Sequence, residues 1–181
     1  MKNILLDVDG CVHRYNFGAI TKEHFGRAVY NKDIKAYSMA DALGVSDNDM
    51  REIWAKEAQK PANLIEGAVD TIKWFLANDY QVFILSSRAK IMTYSGLEKW
   101  LEKAGVPCSG MMAFGTLPEY VHVAIDDNPS KLLRIKEEAK VGKLLLFNQP
   151  WNAFCRDIKR QFIRVYDWDD VKKEVNGGID K

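Results

Sequence analysis

The sequence predicts an α/β protein built on a doubly wound parallel sheet of about five strands, because short apolar runs alternate with helical patterns from residue 64 onward. The runs are short and largely apolar, as expected of parallel strands that are buried on both faces. The stretch 17–63 interrupts the alternation, since it carries helical patterns with no strand between them. Together these observations predict a Rossmann-like sheet with helices on both faces and a small helical cap inserted after strand 1.

Each element is placed from its local pattern. The predicted strands cover residues 3–8, 81–85, 111–114, 122–125 and 143–147. Helices are predicted over 67–78, 95–104 and 129–140, and Gly105 and Gly142 follow the last two at positions where a left-handed glycine ends a helix. The tail predicts a helix over 151–160, a strand over 162–166, a last helix from Asp167 and a frayed end over 175–181.

The cap is expected to be a separate helical unit. We assign 1–16 and 64–181 to the α/β core and 17–63 to the cap. Within the cap, Ser38-x-x-Asp41 and Ser46-x-x-Asp49 are typical of capping boxes, and Gly44 ends the helix between them. Phe25 and Trp54 are expected in the core of the cap.

Length and composition indicate a soluble globular protein. The chain has 181 residues, 47% of them apolar and 28% charged, with no apolar run near the ~20 residues of a membrane span. We therefore expect a cytoplasmic protein without a membrane partner, and a homodimer is left open. The formal charge of +1 argues against nucleic-acid binding. Cys11, Cys108 and Cys155 form no Cys-x-x-Cys pair and are interpreted as reduced thiols.

Two carboxylate pairs follow two predicted strands. Asp7 and Asp9 come directly after the first apolar run, and Asp126 and Asp127 come after the fourth. If the two strands are adjacent and parallel, the four carboxylates meet at the carboxyl edge of the sheet, where open α/β sheets bind ligands. Such a cluster is a suitable site for Mg²⁺, which prefers carboxylate, water and phosphate oxygens. The predicted metal ligands are therefore Asp7, Asp9, Asp126 and Asp127.

The first pair can also carry the chemistry. Asp7 could attack phosphorus while Asp9 handles the proton of the leaving group. The alternative is that this segment is simply an acidic loop. In the second pair, Asp126 is expected to contact the metal, whereas Asp127 acts through water or caps the helix that begins at Pro129, a role that Asn128 could also take.

Polar residues after the second strand are candidate phosphate ligands. Ser86, Ser87 and Arg88 follow an apolar run and lie at the same edge of the sheet, although such a segment is often only a turn. A cation is also needed to offset the charge of the transferring phosphoryl group. The candidates are Arg88, Lys90, Lys99 and Lys103.

These residues, taken in order, resemble the four motifs of the haloacid dehalogenase superfamily of phosphatases. The matching positions are Asp7/Asp9, Ser86, a lysine, and Asp126/Asp127. The resemblance implies that Asp7 becomes an aspartyl-phosphate, that Asp9 is the general acid/base, and that Mg²⁺ is bound by Asp7 and the late acidic pair. It also implies that the insertion is the helical cap found in part of that superfamily.

Finer features are similar to the 5′(3′)-deoxyribonucleotidase branch, in its bacterial and phage forms. They are the segments 64–68, 147–152 and 164–171. In that branch an aromatic residue stacks on the nucleobase, which corresponds to Tyr15, and Phe17 beside it is a second candidate for the pocket. The phosphate-binding lysine of the branch corresponds to Lys99, with Arg88 as a substitute because some polynucleotide phosphatases have Ser-x-Arg there.

The sequence therefore predicts a Mg²⁺-dependent phosphomonoesterase that acts on nucleoside monophosphates. A polynucleotide 3′-phosphatase and a small-metabolite phosphatase are alternatives with the same chemistry. A helix-turn-helix pattern over 38–50 suggests a DNA-binding protein instead, but its second helix carries acidic residues where a positive face is needed. A non-catalytic relative is disfavoured, because clustered carboxylates are costly without a function.

Overall fold

The computed structural model describes residues 2–35, 38–153 and 161–177, and its centre is one parallel sheet. The strands are β1 Lys2–Leu6, β2 Tyr80–Ile84, β3 Gly110–Met111, β4 Tyr120–Asp126, β5 Lys140–Phe147 and β6 Ile163–Val165. Every pair of neighbouring strands is parallel, and the order across the sheet is β3-β2-β1-β4-β5-β6. This is the doubly wound order of Rossmann-like folds. The predicted fold class is confirmed, with six strands where about five were expected, because the tail strand predicted over 162–166 joins the same sheet as β6.

Helices cover both faces of the sheet, because alternate strand residues point to opposite sides. Ile4 and Leu6 of β1 lie in one hydrophobic core and Leu5 lies in the other. The helices of this part of the chain are α4 Ala68–Ala77, α5 Ala89–Met92, α6 Tyr94–Lys103, α7 Pro129–Glu138 and α8 Trp168–Asn176. Helices α4, α6 and α8 pack on the first core, and α7 packs on the second. None of the helices in the described ranges is long and apolar enough to cross a bilayer.

The inserted segment 17–63 has its own apolar cluster. Its helices are α1 Phe17–Phe25, α2 Met39–Leu43 and α3 Asp47–Glu57, with a 3₁₀ turn at Asn31–Asp33. Ser46 and Asp49 form the expected capping box, and Gly44 ends α2 in the left-handed conformation. Met50 and Ile53 of α3 face the cluster. The two ends of the insertion meet where Arg14 N–H donates to the Asn63 carbonyl at 2.8 Å.

The structure corrects the predictions near Gly142 and in the tail. The helix expected to run to residue 140 ends at Glu138, and Gly142 lies inside β5, where a side chain would come within 2.7 Å of the His122 carbonyl. Gly142 therefore allows two strands to approach closely and is not a helix end. In the tail, a 3₁₀ turn occupies Pro150–Asn152, and the rest of the helix predicted over 151–160 falls in 154–160, outside the described residues. Residues 175 and 176 belong to α8, and 178–181 lie outside the described residues.

Candidate active site

Two neighbouring strands, β1 and β4, deliver the central carboxylates. Leu6 is in register with Ile125, and the Asp7 N–H donates to the Ile125 carbonyl at 3.0 Å. Asp7 and Asp126 therefore leave the sheet side by side at its carboxyl edge. The strand order reverses between β1 and β4, which is the point where open α/β sheets form a ligand crevice.

Asp127 joins these two residues to form a buried cluster. Carboxylate oxygens of Asp7, Asp126 and Asp127 all lie within 4.8 Å of one another. The chain turns sharply after β4, so Asp127 faces the cluster and Asn128 caps α7 by accepting from the N–H groups of Ser130 and Lys131. The expectation that Asp127 could cap the helix is thus corrected. Asp127 instead accepts a hydrogen bond from the Trp151 indole at 2.7 Å.

Gly10 leaves the space in which the Asp127 carboxylate lies. Its φ of +79° is in the left-handed region, and a Cβ built there would be 2.1 Å from Asp127 Oδ2. A larger residue would therefore push Asp127 away from Asp7. Gly10 therefore allows both the turn after Asp9 and the close approach of the Asp127 carboxylate.

Lys131 is the cation of this cluster, and the sequence analysis did not identify it. Its Nζ lies 2.8 Å from Asp7 Oδ1 and 2.9 Å from Asp126 Oδ2. The first turn of α7 carries it there, because Pro129 and the Asn128 cap fix the start of that helix directly after the acidic pair. The cations predicted from the sequence all precede the acidic pair, whereas Lys131 lies five positions after Asp126.

The cluster carries more negative than positive charge. Burial raises the pKa of Asp126 to about 7, with a further contribution from the Asp7 carboxylate. Burial likewise raises the pKa of Asp7 and, together with Asp126, the pKa of Asp127. Burial acts to lower the pKa of Lys131, but Asp126 and Asp7 outweigh it and hold that pKa above its usual value. One ammonium among three buried carboxylates leaves the site short of positive charge.

A divalent cation fits this imbalance. Three carboxylates within 4.8 Å of one another offer hard oxygen ligands, and one ion of charge two would balance the set of three anions and Lys131. A second acidic group, Glu23, His24 and Glu57, lies on the inserted segment, but Lys60 already approaches Glu57 Oε1 to 2.7 Å. The chemistry of the donors therefore favours the cluster at the sheet edge.

Asp9 pairs with Arg88 and is not part of the cluster of three carboxylates. Its Oδ1 accepts from Arg88 Nη2 at 2.6 Å, and Oδ2 accepts from Arg88 Nε at 3.4 Å. The structure therefore does not support Asp9 as a further side-chain ligand of the metal. Asp9 is partly exposed and borders the aromatic cavity described below.

Arg88 is buried and its guanidinium donates four hydrogen bonds within the protein, a geometry that disfavours its predicted role as a phosphate ligand. Besides Asp9, its guanidinium donates to the Tyr15 hydroxyl at 2.8 Å and to the Ala58 carbonyl at 3.1 Å. It also stacks on the Trp100 ring at 4.2 Å, and only 1% of the residue is exposed. These contacts leave it poorly placed to meet an incoming phosphate.

The other predicted phosphate ligands are divided between the site and the surface. Ser86 and Ser87 follow β2 and line a cavity of about 750 Å³ together with Asp7 and Lys131. Lys90 lies on the exposed rim of the same cavity. Lys99 and Lys103 are exposed on α6 and line none of the cavities described here. The structure therefore does not support Lys99, and Lys131 takes the position that it was expected to fill.

A second cavity, of about 240 Å³, opens between Asp9 and the inserted segment. Tyr15, Phe17, Trp54 and Trp151 supply aromatic walls, and successive ring centroids among them lie 4.6 to 5.9 Å apart. Tyr15 and Phe17 were predicted to line such a pocket. Trp54 was expected in the core of the insertion. It packs against that core and also borders the cavity.

Two of the three segments that resemble the nucleotidase branch, 147–152 and 164–171, contact the loop that carries Asp127. Asn152 Nδ2 donates to the carbonyls of Asp127 and Phe147, both at 2.8 Å. Arg164 in turn donates to Asn152 Oδ1 at 2.8 Å. This buried network fixes the loop that holds Asp127 and places Trp151 beside it.

His13 lies under the site as a buried neutral residue, and it gives a testable pH effect. Burial, with a contribution from Arg88, lowers the pKa of His13 to about 3. Near pH 6.5 the His13 imidazole takes up a proton in the unfolded chain, whereas in the folded chain it stays neutral down to about pH 3. The contribution of His13 to the free energy of unfolding is therefore fully present above pH 6.5 and is lost as the pH falls toward 3.

We expect the free energy of unfolding to decrease less between pH 7 and 4 in His13→Asn than in the native chain. The Asn side chain keeps an acceptor for the Asn63 N–H. The difference should approach about 1.4 kcal/mol per pH unit at its steepest. Urea unfolding of both proteins across this range measures it, and the contributions of the other carboxylates cancel in the comparison. Parallel stability curves would show that His13 titrates normally.

Comparison with known proteins identifies the fold. No protein-family model matches the chain, and no curated protein matches it. Solved structures do, over nearly the whole length. A hydrolase of the haloacid dehalogenase-like family from Streptococcus pneumoniae has a TM-score of 0.60 at 15% identity, covering 94% of this chain and 96% of that one.

Two further structures are similar. A protein from Lactobacillus delbrueckii subsp. bulgaricus, provisionally named a phosphoglycolate phosphatase, has a TM-score of 0.66 at 11% identity, with 96% and 97% of the two chains covered. The D,D-heptose 1,7-bisphosphate phosphatase of B. bronchiseptica, complexed with magnesium and phosphate, has a TM-score of 0.52 at 11% identity, with 98% and 99% covered. At these identities the likeness establishes the fold, which is that of the haloacid dehalogenase-type hydrolases.

Proposed function

We propose that this protein is a Mg²⁺-dependent phosphomonoesterase of the haloacid dehalogenase type, acting on nucleoside monophosphates as a 5′(3′)-deoxyribonucleotidase. One observation carries the proposal: Asp7, Asp126 and Asp127 converge with Lys131 at the switch point of the sheet. Phosphoryl transfer needs positioning and charge neutralisation above all, and this cluster provides both. The magnesium phosphatase among the similar structures supports the same chemistry.

Asp7 is the proposed nucleophile. It lies at the end of a rigid buried strand, and Lys131 at 2.8 Å holds one of its oxygens in place. Asp7, Asp126 and Asp127 would hold Mg²⁺, which supplies positive charge to the phosphoryl oxygens when it is bound. Ser86 and the Lys131 ammonium line the cavity on the side of Asp7 and are the proposed phosphate ligands. Attack by Asp7 on phosphorus then produces an aspartyl-phosphate and an alcohol.

Asp9 is the proposed general acid and base. It lies on the side of the narrower aromatic cavity, where the leaving group would be. It would donate a proton to the departing oxygen and later accept one from the water that hydrolyses the aspartyl-phosphate. The two aspartates thus divide the work: Asp7 forms the covalent bond and Asp9 transfers protons.

The aromatic cavity supports a nucleotide as substrate. A nucleobase is planar and stacks favourably on aromatic rings, with a gain of about 1–3 kcal/mol per base. Tyr15, Phe17, Trp54 and Trp151 offer such rings on the leaving-group side of the site. We further propose that 17–63 acts as a cap over the core of 1–16 and 64–181, since it supplies two of these walls.

A substrate panel tests the proposed function. Purified protein with Mg²⁺ should hydrolyse deoxyribonucleoside monophosphates faster than sugar phosphates or 3′-phosphorylated oligonucleotides, and chelation should abolish turnover. Preference for an oligonucleotide or a small phosphorylated metabolite would keep the chemistry and correct the substrate. No hydrolysis of any phosphomonoester in the presence of Mg²⁺ would refute the proposal.

Trp54→Leu tests the nucleobase pocket. We expect KM for a nucleoside monophosphate to rise about 10-fold, because a stacking wall is lost, and KM for glycerol phosphate to stay the same. Trp74→Leu is the matched control, since Trp74 lies on α4 and does not border the aromatic cavity. Steady-state kinetics on both substrates would show it. An equal change in KM for both substrates would exclude a base-stacking role.

A further inference from the structure

We propose that Arg88 is a positioning residue for Asp9: its hydrogen bonds fix the orientation of the proposed general acid. This inference rests on the proposed function and deepens it. It replaces the role in phosphate binding that the sequence suggested for Arg88. The observations that support it are the bonding pattern of the guanidinium, its burial and its location between the core and the insertion.

The two contacts between Arg88 and Asp9 are unequal. The bond from Nη2 to Oδ1 is short at 2.6 Å, whereas the contact from Nε to Oδ2 is long at 3.4 Å. Oδ1 is therefore the more firmly held oxygen, and the two contacts together fix the plane of the Asp9 carboxylate. Charge-assisted bonds of this kind fix geometry as well as adding energy.

The guanidinium is itself held rigidly, which an orienting group requires. It donates to the Tyr15 hydroxyl and to the Ala58 carbonyl, and it stacks on Trp100. With 1% of the residue exposed, water competes little for these bonds. Burial acts to lower the pKa of Arg88, but the Asp9 carboxylate outweighs it and raises that pKa, so the charge is secure.

A fixed carboxyl group is what this step requires. As Asp7 Oδ bonds to phosphorus, the bond from phosphorus to the leaving oxygen breaks and its electron pair stays on that oxygen. Asp9 gives its proton to the same oxygen and becomes a carboxylate, and the hydrogen bond from Arg88 Nη2 keeps that group in one orientation. A small misplacement of the acid would slow the proton transfer, because the reacting groups must be held in the productive geometry.

Arg88 also connects the acid to the inserted segment. Ala58 is the residue at which α3 ends, and Tyr15 lies at the entrance to the insertion. The guanidinium that holds Asp9 therefore holds the end of α3 as well. Docking of the cap and alignment of the acid would depend on the same side chain.

Leaving-group dependence separates this role from a structural one. For Arg88→Met we expect kcat/KM to fall about 100-fold on an alkyl phosphate, which needs a proton from Asp9. On p-nitrophenyl phosphate, whose leaving group needs no proton, the fall should be less than about 10-fold. Asp9→Asn should show the same pattern. In the Asp9→Asn background, adding Arg88→Met should not steepen the dependence further, because the residue acts through Asp9.

Two further measurements keep the test decisive. If Arg88→Met fails to fold by circular dichroism, Arg88→Lys carries the same comparison, since an ammonium cannot span Asp9, Tyr15 and Ala58 together. Equal losses on both substrates, or additive effects in the double variant, would overturn the inference. The wild-type protein would still hydrolyse both substrates in that case, whereas failure of the proposed function would leave it inactive on both.

Discussion

Replacing Asp7 by Asn is expected to lower kcat by a factor on the order of 10⁴ or more, because the chain then lacks its nucleophile. Asn is nearly isosteric with Asp but does not attack phosphorus at a useful rate. Steady-state hydrolysis of a nucleoside monophosphate with Mg²⁺ measures the loss.

Thermal unfolding without metal is the control for that variant. Burial raises the pKa of Asp7, Asp126 and Asp127, so each of these carboxylates is costly to keep ionised in the metal-free site. Asp7→Asn should therefore unfold at the same or a higher temperature than the native chain. Retained turnover by this stable variant would contradict Asp7 as the nucleophile.

Lys131→Met is expected to lower kcat/KM about 10²- to 10³-fold, because the charge on the transferring phosphoryl group loses a preorganised cation. Lys99→Met is the matched control, since Lys99 is exposed on α6. It should keep native activity. The reverse result, with Lys99→Met impaired and Lys131→Met active, would show that the phosphate-binding cation suggested by the sequence is the correct one.

The same variant should also lose stability. Lys131 is largely buried and contacts two carboxylates, so its removal leaves Asp7 and Asp126 without their cation. Breaking such a buried pair costs about 3–5 kcal/mol, and adding Mg²⁺ should recover part of it. Chemical unfolding with and without the metal tests this. Unchanged stability in Lys131→Met would mean that the ion pair contributes little.

The sequence was a good guide where local pattern and topology coincide. Asp7 and Asp126 each follow an apolar run directly, so a parallel sheet brings them to one edge whatever the details of packing. Asn128 was one of two candidates for the helix cap, and the structure places it there. The strand predicted in the tail over 162–166 is present as β6 and joins the edge of the sheet.

The other contacts of the site depend on long-range packing, which the local sequence pattern does not show. Arg88 and Asp9 are 79 positions apart, and their pairing depends on how β2 and the inserted segment dock. Trp151 contacts Asp127 across 24 positions from a short 3₁₀ turn, which has no periodic sequence pattern. Lys131 is close in sequence to Asp126, but a lysine in the first turn of a helix is usually exposed. The burial of Lys131 follows from the packing of α7 on β4 and β5, which brings it to Asp7 and Asp126.

Trapping the phosphorylated protein is the most direct measurement of whether the buried carboxylates perform phosphoryl transfer through Asp7. In Asp9→Asn the base that hydrolyses the aspartyl-phosphate is absent, so the intermediate should accumulate with p-nitrophenyl phosphate and Mg²⁺. Peptide mass spectrometry after acid quenching should find one phosphoryl group per chain, on Asp7, and none when the metal is chelated. Release of p-nitrophenol by this variant with Asp7 unmodified, or with the phosphoryl group on another residue, would contradict the proposed mechanism.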